Sequence, residues 1–196
     1  LQEVGAEPIY KYDFETIEEE AIANSGSKSG NAILVGTTSV VEDTDRGNVL
    51  EIKNEDGAVK NNYLALPTDT FDGITKEGYT VSMWVNIDKN DPNYFEASMT
   101  KEDGTPDYPI TRISANLYGR INANGAYSDA TEVSKSLEGN KWEYITYTVK
   151  SDGIVVYVDG NEVARQDKDI SACFNDNFLA LMTDVRIGSG NIWSDR

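Results

Sequence analysis

Apolar and polar residues alternate strictly along residues 78–88, and this alternation is the clearest structural signal in the chain. The apolar positions are Val81, Met83, Val85 and Ile87. The positions between them carry Thr80, Ser82, Trp84 and Asn86. Because successive side chains of a β-strand point to opposite sides, the pattern predicts a strand with one side in a core. Trp84 is then placed on the other, polar side.

The same alternation recurs in two later stretches, and a third stretch is apolar on both sides. In residues 111–123 the apolar side is Ile113, Ala115, Leu117 and Ile121, and the polar side is Arg112, Ser114, Asn116, Tyr118, Arg120 and Asn122. Gly119 offers a point at which this stretch breaks into the two strands of a hairpin. In residues 142–150 the core side is Ile145, Tyr147 and Val149. Residues 154–159 are apolar on both sides, which predicts a strand covered on both faces.

Turn signals built on Gly, Asn and Asp separate the β-rich stretches, as at Asn24-Ser25-Gly26 and Asp159-Gly160. The predicted strands are residues 9–14, 32–41, 47–53, 62–66, 78–87, 110–122, 142–150, 154–158, 162–166 and 177–187. One acidic stretch, residues 15–23, predicts a turn or two of helix instead. Short strands at this spacing are typical of an all-β antiparallel sandwich or barrel, and we expect one domain over residues 1–196.

Composition excludes several classes of function. The chain of 196 residues has a formal net charge of −17, no histidine and one cysteine. Such acidity argues against nucleic acid or an anionic membrane as a partner. The missing histidine excludes Ser-His-Asp and Cys-His catalysis and His-ligated zinc. No apolar run approaches the roughly 20 residues that span a bilayer, so we expect no membrane insertion.

A series of sequence blocks then occurs in a characteristic order. The blocks are Tyr12-Asp13-Phe14-Glu15, Asn24-Ser25-Gly26 with Gly30-Asn31, residues 47–52, residues 62–67, Tyr79-Thr80-Val81-Ser82-Met83-Trp84-Val85, Trp142-Glu143-Tyr144-Ile145, Val156-Tyr157-Val158-Asp159-Gly160-Asn161-Glu162-Val163 and Val185-Arg186-Ile187-Gly188. In this order they resemble the laminin-G-like domains of bacterial carbohydrate-active and surface proteins. The resemblance implies an antiparallel β-sandwich of the concanavalin A-like jelly-roll type.

One feature departs from that family. Its domains usually end in a further strand, whereas this sequence stops after Ile192-Trp193-Ser194-Asp195-Arg196. We therefore expect that the sequence is cut short or that a partner strand closes the sheet, because an unpaired edge readily accepts another strand.

Carbohydrate binding is the function that the residues favour. Sugars are held by aromatic rings and by bidentate hydrogen bonds from arginine, asparagine and aspartate. The polar positions Trp84, Arg112, Asn116, Tyr118 and Arg120 offer this mixture, interpreted as one face. Loop aromatics are predicted to line its rim: Tyr94, Phe95, Tyr108, Tyr127 and Trp193. For Trp84 the alternative is a structural role beneath a loop, and for the arginines it is pairing with surface carboxylates.

Calcium is the one cofactor that the resemblance suggests. Related jelly rolls often hold a structural Ca²⁺ between their first and last strands. Asp13 and Glu15 would supply one half of such a site and Asp184 the other. Solvated carboxylates are the alternative interpretation.

Two other functions stay open besides a non-catalytic carbohydrate-binding module. A protein-binding or adhesin-type surface domain is the first, because fold alone does not choose between partners. A glycoside hydrolase or lyase is the second. It is less favoured, because the Glu-x-Asp spacing of carboxylates common on such strands is absent from the sequence. We expect a secreted or cell-surface bacterial module, part of a multidomain protein such as a polysaccharide-degrading enzyme.

Overall fold

The computed structural model describes residues 7–53, 61–87, 93–123, 126–130, 137–175 and 177–190. In these residues the larger of two packed sheets contains β1 (Ile17–Glu18), β2 (Ala21–Ile22), β3 (Ala32–Val35), β6 (Tyr63–Ala65), β8 (Phe95–Thr100), β9 (Pro106–Ser114), β10 (Tyr118–Ala123), β11 (Ala126–Ala130) and β15 (Asp184–Ile187). Their order across the sheet is β1-β2-β3-β6-β15-β8-β9-β10-β11, and neighbouring strands are antiparallel.

The smaller sheet contains β7 (Tyr79–Val85), β12 (Glu143–Lys150), β13 (Gly153–Val158) and β14 (Asn161–Asp167), in the order β14-β13-β12-β7. A separate hairpin consists of β4 (Ser39–Asp43) and β5 (Gly47–Glu51). Three single turns of 3₁₀ helix cover Ala115–Leu117, Ser171–Phe174 and Phe178–Leu181. None of the helices in the described segments is long and apolar enough to cross a membrane.

The main core lies between the two sheets, where the alternation places it. Ile145 and Tyr147 of β12 are each 1% exposed, as is Ile113 of β9. Val81 and Met83 of β7 pack on the same core but are only half-buried, because β7 is the last strand of its sheet. The fold is therefore an antiparallel β-sandwich of the jelly-roll type, as predicted. That residues 1–196 form one domain stays a prediction.

The predicted helix over residues 15–23 is wrong. Ile17 pairs with Ile22 across a tight hairpin, and Glu19 within its turn has a φ of 57°, which a right-handed helix excludes. Ile22 is fully buried in a second, smaller core with Ala32 and Leu64. Tertiary burial of one isoleucine outweighs the weak helical propensity of a short acidic stretch.

Several predicted strand boundaries also need correction. Residues 9–14 form an irregular segment rather than a strand. The stretch 110–122 breaks at Ala115–Leu117 and not at Gly119, which lies inside β10. Residues 177–187 divide into a 3₁₀ turn and β15. The prediction that residues 154–158 are covered on both faces holds for one face only, since Val155 and Tyr157 are half-buried within the described structure.

The start of β7 depends on a glycine, and this dependence is testable. Gly78 has a φ of +87°, and a Cβ there would lie 2.0 Å from the carbonyl oxygen of Val149 on β12. We predict that Gly78→Ala lowers the free energy of unfolding by about 3 kcal/mol, through backbone strain and displacement of a strand. Urea unfolding measures the change.

Gly73 supplies a matched control. Its φ is +78°, but no atom lies within 4 Å of a Cβ built there. Gly73→Ala should therefore cost only the backbone strain, about 1 kcal/mol. Equal losses in the two variants would show that the close approach to Val149 contributes nothing.

Candidate functional site

Four charged side chains form a row across the large sheet, and the backbone of Asp129 on β11 lies directly opposite the outermost of them, Arg120. Arg120 of β10 lies directly opposite Arg112 of β9, and Arg112 lies opposite Glu96 of β8. Glu96 in turn lies opposite Arg186 of β15. Residues directly opposite each other in a sheet project to the same side. The row, with Tyr118 of β10 and Tyr63 of β6 beside it, is called the arginine face below.

The arginine face points away from the core, and the alternation on β9 and β10 explains why. Ile113 next to Arg112 is 1% exposed, and Ile121 next to Arg120 is fully buried. Both isoleucines pack in the core between the sheets. Because neighbouring residues of a strand point to opposite sides, the two arginines point outward. The structure therefore places Arg112, Tyr118 and Arg120 on one face, as the alternation predicts.

Arg186 is held firmly at one end of the row. Its Nε and Nη2 donate to the two carboxylate oxygens of Asp184 at 2.6 and 2.8 Å. Its guanidinium lies 4.2 Å from the centre of the Tyr63 ring. Burial lowers the pKa of Arg186, but the hydrogen bonds to Asp184 and the nearby Glu96 carboxylate outweigh burial and raise it. Arg186 therefore stays charged and is held by its contacts with Asp184 and Tyr63.

The middle of the row is covered by the chain itself. Glu96 is 1% exposed. A Cβ on Gly190 would lie 2.7 Å from Oε2 of Glu96 and 2.8 Å from Nδ2 of Asn93, so the Gly190 backbone packs directly against both. Ser98 and Ile110, on the same side of the sheet, are fully buried as well. At the β9–β10 end Arg112, Tyr118 and Arg120 are only half-buried, so this end is the more accessible part of the arginine face.

At that accessible end an aromatic ring stands beside a guanidinium. The guanidinium carbon of Arg120 lies 5.5 Å from the centre of the Tyr118 ring, and its Nη2 is 3.4 Å from the Tyr118 hydroxyl. Both side chains are half-buried, as is Arg112. Guanidinium groups donate paired hydrogen bonds in a fixed fork, and an aromatic ring adds an apolar contact surface. This is the chemistry for holding neighbouring hydroxyls of a small polar ligand.

The other predicted contacts fall in different places. Asn116 is exposed in the turn between β9 and β10, with a φ of 58°. Tyr108 lies in β9 where the register with β8 shifts, and it is 41% exposed. Tyr94 is a correction: it is 3% exposed and packs in the main core, so it does not line a rim.

Phe95 is a second correction among the rim aromatics. It begins β8 and is 2% exposed in the core. The side chain of Tyr127 and the whole of Trp193 lie outside the described residues, so their predicted rim positions stay predictions.

Trp84 does not belong to the arginine face, which corrects the interpretation of one shared surface. It points outward from β7 in the small sheet, on the opposite side of the sandwich, and is 47% exposed. The Arg46 guanidinium carbon, from the β4–β5 turn, lies 3.5 Å from the centre of its ring. The Tyr144 ring, directly opposite on β12, lies at 5.1 Å. A sugar stacking on that face of Trp84 would have to displace Arg46.

The turn that carries Arg46 is itself organised by a side chain. Oδ1 of Asp43 accepts hydrogen bonds from the backbone N–H groups of Asp45 at 2.9 Å and Arg46 at 3.0 Å. Such aspartate-capped turns hold the backbone in a single conformation. The contact with Trp84 therefore anchors the β4–β5 hairpin to the small sheet, which is the structural alternative foreseen for this tryptophan.

Two of the acids suggested for calcium make other contacts in the structure. Asp184 is engaged in the two-bond pair with Arg186. Asp13 accepts hydrogen bonds from the Ser25 hydroxyl at 2.8 Å and from the backbone N–H of Glu15 at 3.3 Å, and its pKa is lowered chiefly by the Ser25 bond. Over the described segments, no three acidic, cysteine or histidine side chains are grouped as a metal site. Calcium binding stays an untested prediction.

Sequence reasoning missed Glu96, Arg186 and Tyr63. Glu96 lies between the predicted strands 78–87 and 110–122, where Tyr94 and Phe95 are predicted to be loop aromatics. The alternation of Phe95, Ala97 and Met99 with Glu96, Ser98 and Thr100 is the signal that identifies β8 as a strand. Apolar Val185 and Ile187 on either side of Arg186 likewise predict that Arg186 points away from the core. Its contact with Tyr63 on β6 joins residues far apart in sequence and cannot be predicted from a local pattern.

The comparisons with known proteins agree with this architecture. A model of the concanavalin A-like lectin/glucanases superfamily, of the laminin-G type, matches residues 56–196. Among curated proteins, none matches the chain in sequence.

Three solved structures illustrate the likeness. Domain 4 of AbnA, a GH43 extracellular arabinanase from Geobacillus stearothermophilus in complex with arabinotriose, is 14% identical, with a TM-score of 0.57 over 88% of this chain and 79% of that one. The carbohydrate-binding module CBM66 from Bacillus subtilis is 13% identical, with a TM-score of 0.40 over 80% and 86% of the two chains. Alginate lyase AlyC3 is 11% identical, with a TM-score of 0.43 over 88% and 71%. At 14% identity the arabinanase domain, with its TM-score of 0.57, shows a shared fold alone. Because the family model covers most of the chain, this protein belongs to the concanavalin A-like lectin/glucanases superfamily.

Proposed function

We propose that this protein is a non-catalytic carbohydrate-binding module that takes an oligosaccharide at the accessible end of the arginine face. The observation that carries the proposal is the juxtaposition of Arg112, Arg120 and Tyr118 on the outward side of β9 and β10. Two guanidinium groups and one tyrosine ring lie together there, next to the part of the sheet where Gly190 covers Glu96. This combination matches the hydroxyl pairs and the apolar C–H surface of a sugar.

The charges of the arginine face suit a ligand made of hydroxyl groups. The charge of Arg186 is balanced by Asp184, and Glu96 lies directly opposite Arg112. Guanidinium donors and carboxylate acceptors are thus interleaved without a large excess of either sign. Hydrogen bonds to ionised groups are stronger than those between neutral groups, so few are needed to orient a sugar.

A domain of the same fold supports the proposal. Domain 4 of the arabinanase AbnA, with its TM-score of 0.57, holds arabinotriose and is part of an extracellular enzyme. We extend the proposal to a secreted, accessory module of a multidomain carbohydrate-active protein. Such a module would raise the local concentration of polysaccharide at a tethered catalytic domain.

The absence of catalysis belongs to the same proposal. A glycoside hydrolase needs an acid and a second carboxylate that both reach the glycosidic bond. On the arginine face Glu96 is 1% exposed beneath Gly190. Both oxygens of Asp184 accept hydrogen bonds from Arg186. Neither of these two carboxylates is presented to a ligand at the β9–β10 end, where the acid opposite Arg120 in the register is Asp129 of β11.

The first test is loss of the forked donors. We predict that Arg112→Gln and Arg120→Gln each weaken sugar binding about tenfold, because each removes a charge-assisted hydrogen-bond pair. Affinity electrophoresis in gels containing arabinan, 1,3(4)-β-glucan or alginate identifies the polysaccharide, and isothermal titration with arabinotriose gives an affinity for a defined probe.

Arg165→Gln is the matched control. Arg165 lies on β14 of the small sheet, where it pairs with Glu162 and Asp167, so its loss should leave binding unchanged. If the native protein is retained by none of these or other plant, host and microbial glycans, carbohydrate binding is wrong. A protein-binding surface domain would then become the leading function.

The second test concerns Trp84. We predict that Trp84→Ala lowers the free energy of unfolding by about 2 kcal/mol, because the hairpin loses its cation–π and apolar anchor. Sugar affinity should stay within twofold of the native value. A folded Trp84→Ala variant that no longer binds would instead place the sugar on the small sheet.

A further inference from the structure

A cluster of buried hydroxyl groups joins the two sheets through the core. The Tyr79 hydroxyl of β7 donates to Oγ1 of Thr111 on β9 at 2.6 Å. Oγ1 of Thr111 also lies 2.8 Å from the Tyr147 hydroxyl of β12. Thr111 is fully buried and Tyr147 is 1% exposed. Buried polar groups are costly without partners, so this cluster fixes how the sheets meet.

The cluster ends on the backbone of a residue of the arginine face. The carbonyl oxygen of Arg120 accepts hydrogen bonds from the Tyr147 hydroxyl at 2.7 Å and from Oγ1 of Thr111 at 3.0 Å. Burial, followed by the nearness of Tyr147, raises the pKa of Tyr79. The Tyr79 hydroxyl therefore remains a donor to the cluster at ordinary pH.

The ring of Tyr147 also braces the residue before Arg120. A Cβ on Gly119 would lie 2.9 Å from the ring carbon Cε2 of Tyr147. A glycine inside a strand often marks such a close approach, and here only a glycine leaves room for the ring. Tyr147 thus contacts β10 at Gly119 and at the carbonyl of Arg120. These contacts lie behind the outward-pointing side chains of Tyr118 and Arg120.

We propose that Tyr147 is a positioning residue of the arginine face, acting through the carbonyl of Arg120. The inference rests on the proposed function, since it concerns the same sugar site. Arg112 and Thr111 are neighbours on β9, so the cluster holds the backbone behind both arginines. Forked hydrogen bonds tolerate little misplacement, and a shift of the strand would weaken the grip on a sugar.

The test removes one hydroxyl from each side of the same strand. Tyr147→Phe keeps the ring and deletes the bond to Arg120. Tyr144→Phe, the matched control, deletes the 2.8 Å bond from Tyr144 to Ser82 on the outward side of the small sheet. We expect Tyr147→Phe to weaken binding of arabinotriose, or of the polysaccharide selected by electrophoresis, about fivefold. Tyr144→Phe should change binding less than twofold.

A double-mutant cycle separates positioning from general loss of stability. If Tyr147 acts through Arg120, the effect of Tyr147→Phe should shrink to less than about twofold in an Arg120→Ala background. Equal effects in both backgrounds would overturn the inference. Should Tyr147→Phe fail to fold, Thr111→Val removes the neighbouring hydroxyl with little change in shape, and the same cycle is run with it.

A measurement without sugar distinguishes this inference from the proposed function. In NMR spectra of the free protein, Tyr147→Phe should shift the guanidinium Nε–H resonances of Arg112 and Arg120, whereas Tyr144→Phe should leave them in place. Unmoved resonances would overturn the positioning role even if sugar binds. Shifted resonances in a protein that binds no glycan would show that the coupling is real and that the proposed function is wrong.

Discussion

Each side chain of β9 and β10 that enters the core forces its neighbour outward, and the arginine face depends on this constraint. Ile113, Ile121 and Thr111 are at most 1% exposed between the sheets. Burying such side chains is the main driving force for folding, at about 25 cal/mol per Å² of apolar surface. Slipping either strand by one residue would turn Arg112 or Arg120 into that core. The core packing that stabilises the sandwich therefore also determines where the arginine face lies.

The core itself is not purely apolar, and its polar part has a definite geometry. Tyr79, Tyr147 and Thr111 replace what would otherwise be hydrocarbon contacts with a chain of hydrogen bonds. The chain ends on a backbone carbonyl, which is an acceptor already fixed by the strand. Apolar contacts alone allow two sheets to slide over each other, whereas hydrogen bonds to one carbonyl specify a single alignment. The cluster thus replaces some apolar contacts with hydrogen bonds that fix the alignment of the two sheets.

Much of this arrangement could be predicted from alternation, and its gaps have physical causes. Period-two patterns identified the core sides of β7, β10 and β12, and the outward position of Arg112, Tyr118 and Arg120. Alternation assigns a side of a strand but not a sheet, so Trp84 was grouped with residues that lie across the sandwich. Pairing between strands distant in sequence, as for Tyr63 and Arg186, leaves no local signal. The short hairpin at residues 17–22 exists because Ile22 is buried, which only the folded core decides.

Two like charges lie directly opposite each other in the arginine face, at Arg112 and Arg120. Like charges directly opposite in a sheet repel each other and destabilise the pair. Glu96 lies on the far side of Arg112 and Asp129 on the far side of Arg120 in the sheet register, and the buried hydroxyls brace the strands from behind. Local choices that conflict with stability, yet are supported by the surrounding structure, are expected where a protein binds something. The arginine pair, with its support on both sides, is the clearest such place in the described structure.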